Sequence, residues 1–463
     1  QSYFKVDIDG GANNDDIDIS YSGDSIVKGG DGNDNIRSEY SLNNELYGGL
    51  GDDTIYIFAA NYISYQPYSR HITDKNNNDV LDEISINYID GGEGDDNLTF
   101  YGYKTSTSYG RVETQIDGGA GDDIINVTDN RAGSTTSSNG NEYGIAKVTI
   151  DGGEGDDEIT VSGGLDVSIT TGGGSDVISL TAKQYRTLIE GARNIRNDNG
   201  SSEVVDAKPI SITDFSAGAS GDVLDYGDLL RNGTLDYDGS NPFATGFLSL
   251  TQSGNDTLIR FDADGSNKGD KSSILVAILK NVSKDSLIAD NFNPNFPPDG
   301  SAASPKTIEG TYLSDTLVGG FGDDTIKGLE GNDNIDGQAG SDKIYGGEGN
   351  DVIEGNFGND ELYGDSGNDT ITDDSGSNIL DGGSGNDKLT SRSLSGDHTL
   401  RGGYGTDTLI ATGKKVTLDG GDENDSINAY GYIDKEGSRS YLEDGEATIS
   451  GGAGADNIYV DYY

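Results

Sequence analysis

"GGFGDDTIKGLEGNDNIDGQAGSDKIYGGEGNDVIE" occupies residues 319–354 and repeats one pattern every nine residues. The frame is GGxGxDxUx, in which U is Ile or Leu, and these four copies place Asp324, Asp333, Asp342 and Asp351 at position six. Internal repetition at a fixed, short period is the sequence signature of a solenoid, in which each repeat contacts only its neighbours. The repeat therefore indicates the fold class before any other signal is considered.

The same frame recurs in three zones of the chain. Seven copies lie within residues 10–179, nine run head to tail through 310–390, and three lie within 402–459. Position eight is Ile or Leu in every copy. Position six is Asp in all but one, "DDSGSNILD" at 373–381, where Asn378 takes its place.

The two halves of the repeat have different physical roles. Glycines in the GGxGxD half permit positive φ and let backbone carbonyls approach a common point, and the aspartate adds a carboxylate oxygen. Oxygen-only ligand sets suit Ca²⁺, which takes about 6–8 oxygens, whereas softer metals would need Cys or His. The xUx half is a very short strand with one aliphatic side chain facing inward. Two nonapeptides make one coil, and an ion can bind between turns stacked in successive coils.

We therefore predict a calcium ligand at every position-six aspartate. These residues are Asp15, Asp34, Asp53, Asp96, Asp123, Asp157, Asp176, Asp315, Asp324, Asp333, Asp342, Asp351, Asp360, Asp369, Asp387, Asp407, Asp425 and Asp456.

The nonapeptides resemble the RTX repeats, which are glycine- and aspartate-rich calcium-binding repeats of proteins exported by bacterial type I secretion. The resemblance implies an all-β fold, a parallel β-roll or β-helix solenoid with calcium between its coils. It also implies a chain that stays extended at the low calcium of the cytosol and folds outside the cell.

Composition restricts the partners and the chemistry. The chain has 82 acidic and 30 basic residues, a formal net charge of −52 and no cysteine. Nucleic acid and anionic membranes are disfavoured partners because the summed field repels them, and thiolate metal sites and disulfides are excluded. No segment approaches the roughly 20 apolar residues of a membrane span. The chain starts at Gln1 without a signal-peptide pattern, so we expect a processed product, a fragment, or export without a removable N-terminal signal.

The first and last zones differ from the middle one. Their repeats recur at 18–20 residues or more and follow alternating strands such as "AKVTIDGG", so we predict a one-sided roll with calcium turns on one edge only. Four tyrosine-bearing insertions, at 59–83, 101–111, 128–144 and 429–445, should project from the opposite edge. Their tyrosines either form a recognition surface or fold back over the thin aliphatic stack.

The stretch between the arrays is not repetitive. "ITDFSAG", "GDVLDYGDLL", "DTLIRFDADG" and "VAILKNV" within 212–291 resemble the globular secretion-target segment found near the C-terminus of many RTX proteins. Here about 160 residues follow it, so the segment is an export signal or a cap between two rolls. We predict a short helix or a basic coil cap at 182–197 and a helix at 283–290, while Asp214, Asp222, Asp225 and Asp228 either bind calcium or cap a helix.

These observations divide the chain into five parts. We expect a first roll with insertions on one edge at 1–181, a small, mostly-β globular segment at 182–292, and a proline-rich linker at 293–308. A two-sided roll at 309–390 and a one-sided continuation at 391–463 should follow.

No catalytic constellation stands out in the sequence. Only His71 and His398 are present, and there is no HExxH, GxSxG or P-loop motif. We expect a non-enzymatic structural or assembly protein of the bacterial exterior, such as a surface-layer subunit, filament or matrix adhesin, that self-associates or binds cell-surface or matrix components. The alternative is the calcium-dependent secretion and folding region of a larger secreted enzyme or toxin.

Overall fold

The structure is a computed structural model of the chain. It describes residues 5–40, 43–60, 72–73, 79–80, 84–103, 111–129, 145–163, 166–189, 192–196, 202–206, 208–234, 237, 239–265, 273–301, 305–393, 396–435, 438–441 and 445–461.

The chain divides into two compact units. Unit 1 comprises Gln1–Gly233, Leu248–Asp262 and Ser272–Asn293, and unit 2 comprises Thr234–Phe247, Ala263–Lys271 and Pro294–Tyr463.

Unit 1 is a β-roll with two sheets, which we call sheet 1 and sheet 2. Sheet 1 contains, in spatial order, β1 (Asp7–Ala12), β3 (Ile26–Asp31), β5 (Glu45–Leu50), β9 (Ile84–Glu93), β11 (Arg111–Ala120), β13 (Ile145–Glu154), β15 (Val167–Gly173), β19 (Ile210–Ile212), β23 (Ile274–Leu279), β22 (Asp256–Phe261) and β21 (Leu248–Ser253). Sheet 2 contains β2 (Asp16–Ser20), β4 (Asn35–Glu39), β6 (Thr54–Ala60), β10 (Asn97–Tyr103), β12 (Ile124–Asp129), β14 (Glu158–Ser162), β16 (Val177–Leu180), β20 (Val223–Asp225) and β24 (Phe292–Asn293).

Short elements complete unit 1. They are the strand pairs β7 (Ile72–Thr73) with β8 (Asp79–Val80) and β17 (Ala192–Arg196) with β18 (Ser202–Asp206), the helices α1 (Ala182–Ile189) and α2 (Gly227–Gly233), and 3-10 turns at Lys284–Ser286 and Ala289–Asn291.

Unit 2 is a second roll, with sheets 3 and 4. Sheet 3 contains β25 (Thr307–Glu309), β27 (Thr325–Glu330), β29 (Lys343–Glu348), β31 (Glu361–Ser366), β33 (Ile379–Ser384), β35 (Asp397–Tyr404), β37 (Lys415–Asp422) and β41 (Glu446–Ala453). Sheet 4 contains β26 (Thr316–Phe321), β28 (Asn334–Ala339), β30 (Val352–Glu354), β32 (Thr370–Asp373), β34 (Lys388–Arg392), β36 (Thr408–Thr412), β38 (Ser426–Tyr430) and β42 (Asn457–Asp461). The short helix α3 (Pro242–Thr245) and the pair β39 (Tyr432–Lys435) with β40 (Ser438–Tyr441) also belong to it.

The aliphatic residue at position eight forms the core of each roll. Leu98 is fully buried and pairs in parallel register with Ile55 on one side and Ile125 on the other. In unit 2 the same positions give an unbroken buried stack that starts at Ile326 and includes Ile427. Because each short strand turns one aliphatic side chain inward, the core is a thin row of Ile and Leu whose length grows with the number of coils. The predicted parallel β-roll is confirmed.

The segment at 182–292 is continuous with the first roll. β19 pairs with β15 and β20 pairs with β16, both in parallel, so this segment adds a further coil to unit 1. Its hairpin, β21 and β22, extends sheet 1 in antiparallel pairing. Residues 283–290, predicted as a helix, instead form the two 3-10 turns. Leu287 between them is extended and buried, which is incompatible with a continuous helix.

The insertions leave each roll on a defined edge. In unit 1 they join β6 to β9, β10 to β11 and β12 to β13, always from sheet 2 back to sheet 1. In unit 2 the insertion joins β38 to β41, from sheet 4 back to sheet 3. Both connections lie opposite the GGxGxD turns that follow β1 and β37. Most of the tyrosine-bearing residues of these insertions lie outside the described ranges, so their role stays a prediction.

Candidate metal sites

Position-six aspartates form three columns, each linked coil to coil by hydrogen bonds. On every coil the backbone N–H of one aspartate donates to Oδ1 of the aspartate in the next coil, as from Asp342 to Asp360 at 2.7 Å. The column of unit 1, on what we call the aspartate edge, contains Asp15, Asp34, Asp53, Asp96, Asp123, Asp157 and Asp176. In unit 2 the long aspartate edge contains Asp315, Asp333, Asp351, Asp369, Asp387, Asp407, Asp425 and Asp456. The short aspartate edge, opposite it, contains Asp324, Asp342 and Asp360.

The second carboxylate oxygen of these aspartates has no protein partner. Oδ2 is buried without a hydrogen bond in sixteen of the eighteen predicted ligands. The exceptions are Asp315, whose Oδ2 accepts from Thr311 at the start of its column, and the half-buried Asp456 in the last coil. A buried carboxylate oxygen without a partner is strongly unfavourable, so each of these sixteen atoms needs a donor or a cation.

A backbone carbonyl converges on the same place. A Cβ atom added to Gly337, position one of its repeat, would lie 2.6 Å from Asp342 Oδ2 and 3.0 Å from Gly355 O of the next coil. Only glycine can leave that space to the two oxygens, which explains the glycine at position one. The donor set is a carboxylate and a carbonyl, the oxygen ligands that Ca²⁺ prefers.

Burial also changes the pKa of these carboxylates. Desolvation raises the pKa of Asp342 to about 8, and it raises the pKa of Asp96, Asp123 and Asp369 to about 7. Neighbouring aspartates of the column raise it further, while the hydrogen bond from the preceding coil lowers it. Without a counter-cation, the charged form of these groups is therefore disfavoured in the fold.

The fold supplies one cation of its own at an equivalent place. Lys306 occupies position six of the incomplete coil that precedes Gly319, where other coils have aspartate. Its N–H donates to Asp324 Oδ1 at 2.6 Å, as in the aspartate columns, and its ammonium contacts Gly319 O at 2.6 Å. A positive charge thus lies against a position-one carbonyl, which supports the fit of the regular turns to a metal cation.

Most of the ligands would come from the backbone. Among the described residues no cluster of three or more Asp, Glu, His or Cys side chains could hold a metal ion. An ion between two turns would therefore combine Asp Oδ2 with carbonyls such as Gly355 O. This agrees with the hard-oxygen ligand set that the sequence predicts. The assignment of individual aspartates as ligands stays a prediction.

The first column has a further member outside the repeat frame. Asp176 donates its N–H to Asp222 Oδ1 at 3.3 Å, so Asp222 continues the aspartate edge into the non-repetitive segment. Asp222 also accepts from Ser216 and Thr171. Asp214 accepts from the N–H groups of Thr171 and Gly172. Each of these two aspartates is therefore hydrogen bonded within the turn, and no GGxGxD frame in the sequence marks them.

Asp225 and Asp228 instead stabilise the ends of helices. Asp228 accepts from the N–H of Ala182 at the start of α1, and Asp225 accepts from the N–H of Gly227 at the start of α2. These contacts match the capping alternative for the two residues.

Position five has a structural role that the repeat frame did not reveal. The N–H of Asp122 donates to Asp95 Oδ1 at 2.9 Å, and the N–H of Asn350 donates to Asn332 Oδ1 at 2.7 Å. These bonds run toward the preceding coil, opposite in direction to the position-six bonds. Asp, Asn and Ser all occur at position five, and each can accept such a bond.

The opposite edge of unit 1, the neutral edge, has the same ladder without the charge. Ser25 N–H donates to Asn44 Oδ1 at 3.2 Å, and Asn44 N–H donates to Asn87 Oδ1 at 3.4 Å. All three residues are buried. Thr114 and Val148 occupy the positions equivalent to Asn87 in the next two coils. The side chain in this column therefore changes from an amide to a hydroxyl and then to a hydrocarbon. Neutral residues thus replace Asp on this edge, and the restriction of calcium turns to the other edge stays a prediction.

The short aspartate edge of unit 2 ends in a neutral histidine. His398 follows Asn378 in the column and is buried, and burial lowers its pKa. Its ring nitrogens lie 3.0 Å from Ser391 Oγ and 3.2 Å from Ser393 O. With Nε2 protonated, the ring donates to the Ser393 carbonyl and accepts from the Ser391 hydroxyl. His398 thus fills the turn without a charge, and Val416 follows it in the next coil.

The fold and the turns together define a solenoid of cation-binding repeats. A family model described as the RTX calcium-binding nonapeptide repeat matches residues 20–39, 41–56, 115–128, 148–168, 309–344, 328–362, 336–371, 354–389, 401–431 and 443–461. RTX calcium-binding repeats thus run through both units of the chain. No curated protein matches it.

Two further observations concern the non-repetitive segment and membrane-spanning helices. Residues 169–308 lie outside the ranges that the RTX model matches, so the likeness of 212–291 to a secretion-target segment stays a prediction. Within the described ranges, no helix has both the length and the apolar character needed to cross a bilayer.

Proposed function

We propose that this protein is an extracellular structural or assembly protein of the bacterial surface that folds, and then self-associates, on binding calcium. The observation that carries the proposal is the set of sixteen buried Asp Oδ2 atoms without a partner. They run through both units rather than forming one local site. The cations would therefore be part of the core on which the whole fold depends.

Calcium gating follows from this arrangement. Without metal, each column brings together buried carboxylates that repel one another, and the thin Ile/Leu stack has little apolar area to offset them. Ions that bind the folded state alone stabilise it by mass action, and stacked repeats make this binding cooperative. Extracellular sites of moderate affinity, with Kd around 10⁻⁴–10⁻³ M, would stay empty in the cytosol and fill outside.

A structural role is supported by what the rolls present. The coils of the two β-rolls contain most of the described strands, and the sequence has none of the nucleophile or metalloprotease motifs sought above. RTX repeats are themselves a calcium-binding structural element. The insertions extend from one edge of each roll, where they would be available to another copy or to matrix components.

The test is whether calcium folds and assembles the purified chain. We expect far-UV circular dichroism to show strand content in about 5 mM calcium and its loss in EGTA, because Kd values near 10⁻⁴–10⁻³ M saturate in that range. Electron microscopy of the calcium form should show ordered polymers that dissolve in EGTA. Equal strand content in both conditions would contradict the gating proposal. A calcium form that stays monomeric would contradict self-association.

The likeness of 212–291 to a secretion-target segment favours a second candidate, a calcium-dependent export and folding region of a larger secreted enzyme or toxin. The mass of the native secreted product distinguishes the two. A mass well above 48.5 kDa, with a catalytic activity that copurifies, would favour this candidate over the structural one.

A further inference from the structure

One turn of the short aspartate edge departs from the frame twice. In "DDSGSNILD", Asp373 replaces the glycine of position one and Asn378 replaces the aspartate of position six. Both side chains are 1% exposed. The turn therefore contains the usual carboxylate, but at the opposite end of the loop.

Asn378 keeps only half of the usual role of position six. Its Oδ1 accepts the N–H of Asp360 at 3.0 Å, as an aspartate would. Its Nδ2 donates to Ser375 O at 2.7 Å, where an aspartate would present the unpartnered oxygen. The ladder thus continues through Asn378 without a ligand for a cation.

Asp373 supplies the oxygen that Asn378 lacks. Its Oδ1 accepts the N–H of Ser375 at 3.0 Å, and its Oδ2 is buried with no hydrogen-bond partner. A Cβ on Gly355 would meet the Oδ2 atoms of both Asp373 and Asp360, each within 2.8 Å. In the regular turns the second contact is instead a position-one carbonyl of the next coil, as with Gly355 O beside Gly337.

Two unpartnered carboxylate oxygens thus converge beside Gly355. Both belong to side chains that are 1% exposed, so water screens their mutual repulsion only weakly. Two acceptors cannot hydrogen bond to each other unless one is protonated. The arrangement needs either a cation or a shared proton.

We propose that Asp373 and Asp360 together bind a divalent cation, calcium in the extracellular setting, in a site where the Asp373 carboxylate replaces the position-one carbonyl that a regular turn would supply. This inference rests on the proposed calcium-binding function. It makes the ion beside Asp360 the last one of the short aspartate edge, because Asn378 offers no ligand to a further ion. The neutral His398 in the following coil then marks the true end of the ion column on this edge.

The test removes the carboxylate in two ways. Asp373→Asn keeps the size of the side chain but not its charge, and Asp373→Gly restores the position-one glycine of a regular turn. Calcium ions bound per chain are counted by native mass spectrometry and equilibrium dialysis, with calcium as the only added metal. We expect Asp373→Asn to bind one ion fewer than the wild type and Asp373→Gly to keep the wild-type count, because Asp360 Oδ2 then faces a position-one carbonyl as in the regular turns. Asp374→Asn, at the exposed neighbouring position, should keep the wild-type count.

An unchanged ion count in Asp373→Asn would overturn the inference and indicate a shared proton. If Asp373→Asn does not fold in saturating calcium, Asp373→Ser decides by the same count. A wild type that binds no calcium would refute the proposed function itself, whereas normal wild-type binding with no effect at Asp373 would refute only this site.

Discussion

The two oxygens of a position-six aspartate have separate tasks. Asp96 Oδ1 accepts the N–H of Asp53 at 2.6 Å, while Asp96 Oδ2 is buried without a partner. Asparagine can perform the first task but not the second, since its amide nitrogen is a donor. The same distinction separates Asn378 and Asn44 from the aspartates.

We therefore expect Asp96→Asn to weaken calcium-dependent stability while leaving the ladder intact. With a site Kd near 10⁻⁴ M, losing one ion at about 10 mM calcium lowers the free energy of unfolding by roughly 3 kcal/mol. The measurement is chemical denaturation at pH 8 in calcium. The loss should shrink as calcium is lowered toward the site Kd, because less of the stabilisation then comes from the ion.

Asp95→Asn is the matched control on the same turn. Its Oδ1 remains an acceptor for Asp122 N–H, and its side chain is exposed. We expect a change within about 0.5 kcal/mol at either calcium concentration. A loss equal to that of Asp96→Asn would contradict the separation of the two positions.

The two edges of one coil differ in the turn that precedes the column residue. Asp96 follows the glycine turn at 91–94, whereas Asn87 on the neutral edge follows the strand residues 84–86. Asn87 is fully buried, and its Oδ1 accepts the N–H of Asn44. A carboxylate at Asn87 would have the same place in the ladder but no glycine-opened space beside it.

Asn87→Asp should therefore destabilise unit 1, and calcium should not rescue it. An unpaired buried carboxylate costs about 3 kcal/mol or more. Thermal unfolding in low and high calcium measures the effect, with Asn97→Asp, exposed in the same coil, as the control. Rescue by calcium would show that an acidic residue alone, without glycines, is enough to make a site.

The elements that sequence could predict are those governed by the nonapeptide alone. Position eight predicts the core stack through Leu98 and Ile326, and position six predicts the aspartate columns, because both depend on contacts between identical repeats. Lys306, Asp373 and Asp222 lie near the ends of the aspartate columns, where the residues depart from the regular repeat. Their roles depend on which coil the fold places beside them, and spacing in the sequence does not contain that information.

Whole-molecule stability should depend on pH in opposite ways with and without calcium. The pKa of Asp342 is raised to about 8 and that of Asp96 to about 7, against an unfolded value near 3.8. The folded state without metal thus binds more protons. Its stabilisation by protonation is complete below pH 3.8 and is lost as pH rises through about 7 to 8.

In EGTA we therefore expect acid to promote the folded state and alkali to unfold it. Circular dichroism between pH 4 and pH 9 measures this. In calcium the direction reverses, because protons compete with the metal for the same oxygens, so calcium affinity should fall as pH decreases below about 7. Strand content in EGTA that is independent of pH would contradict the buried, unpartnered state of the carboxylates.

The stacking of the coils has a mechanical consequence. Backbone hydrogen bonds between parallel strands join one coil to the next, so tension along the stack is carried by all the interfaces in series and the weakest coil detaches first. Successive coils are 18 residues apart from β25 to β33, and each coil that detaches there would release roughly 60 Å of chain. Pulling on unit 2 should give a series of small steps, evenly spaced for these coils, whose force rises with calcium concentration. Under load the protein would then lengthen as its coils detach one after another, and it would shorten again as the coils refold when the load is removed.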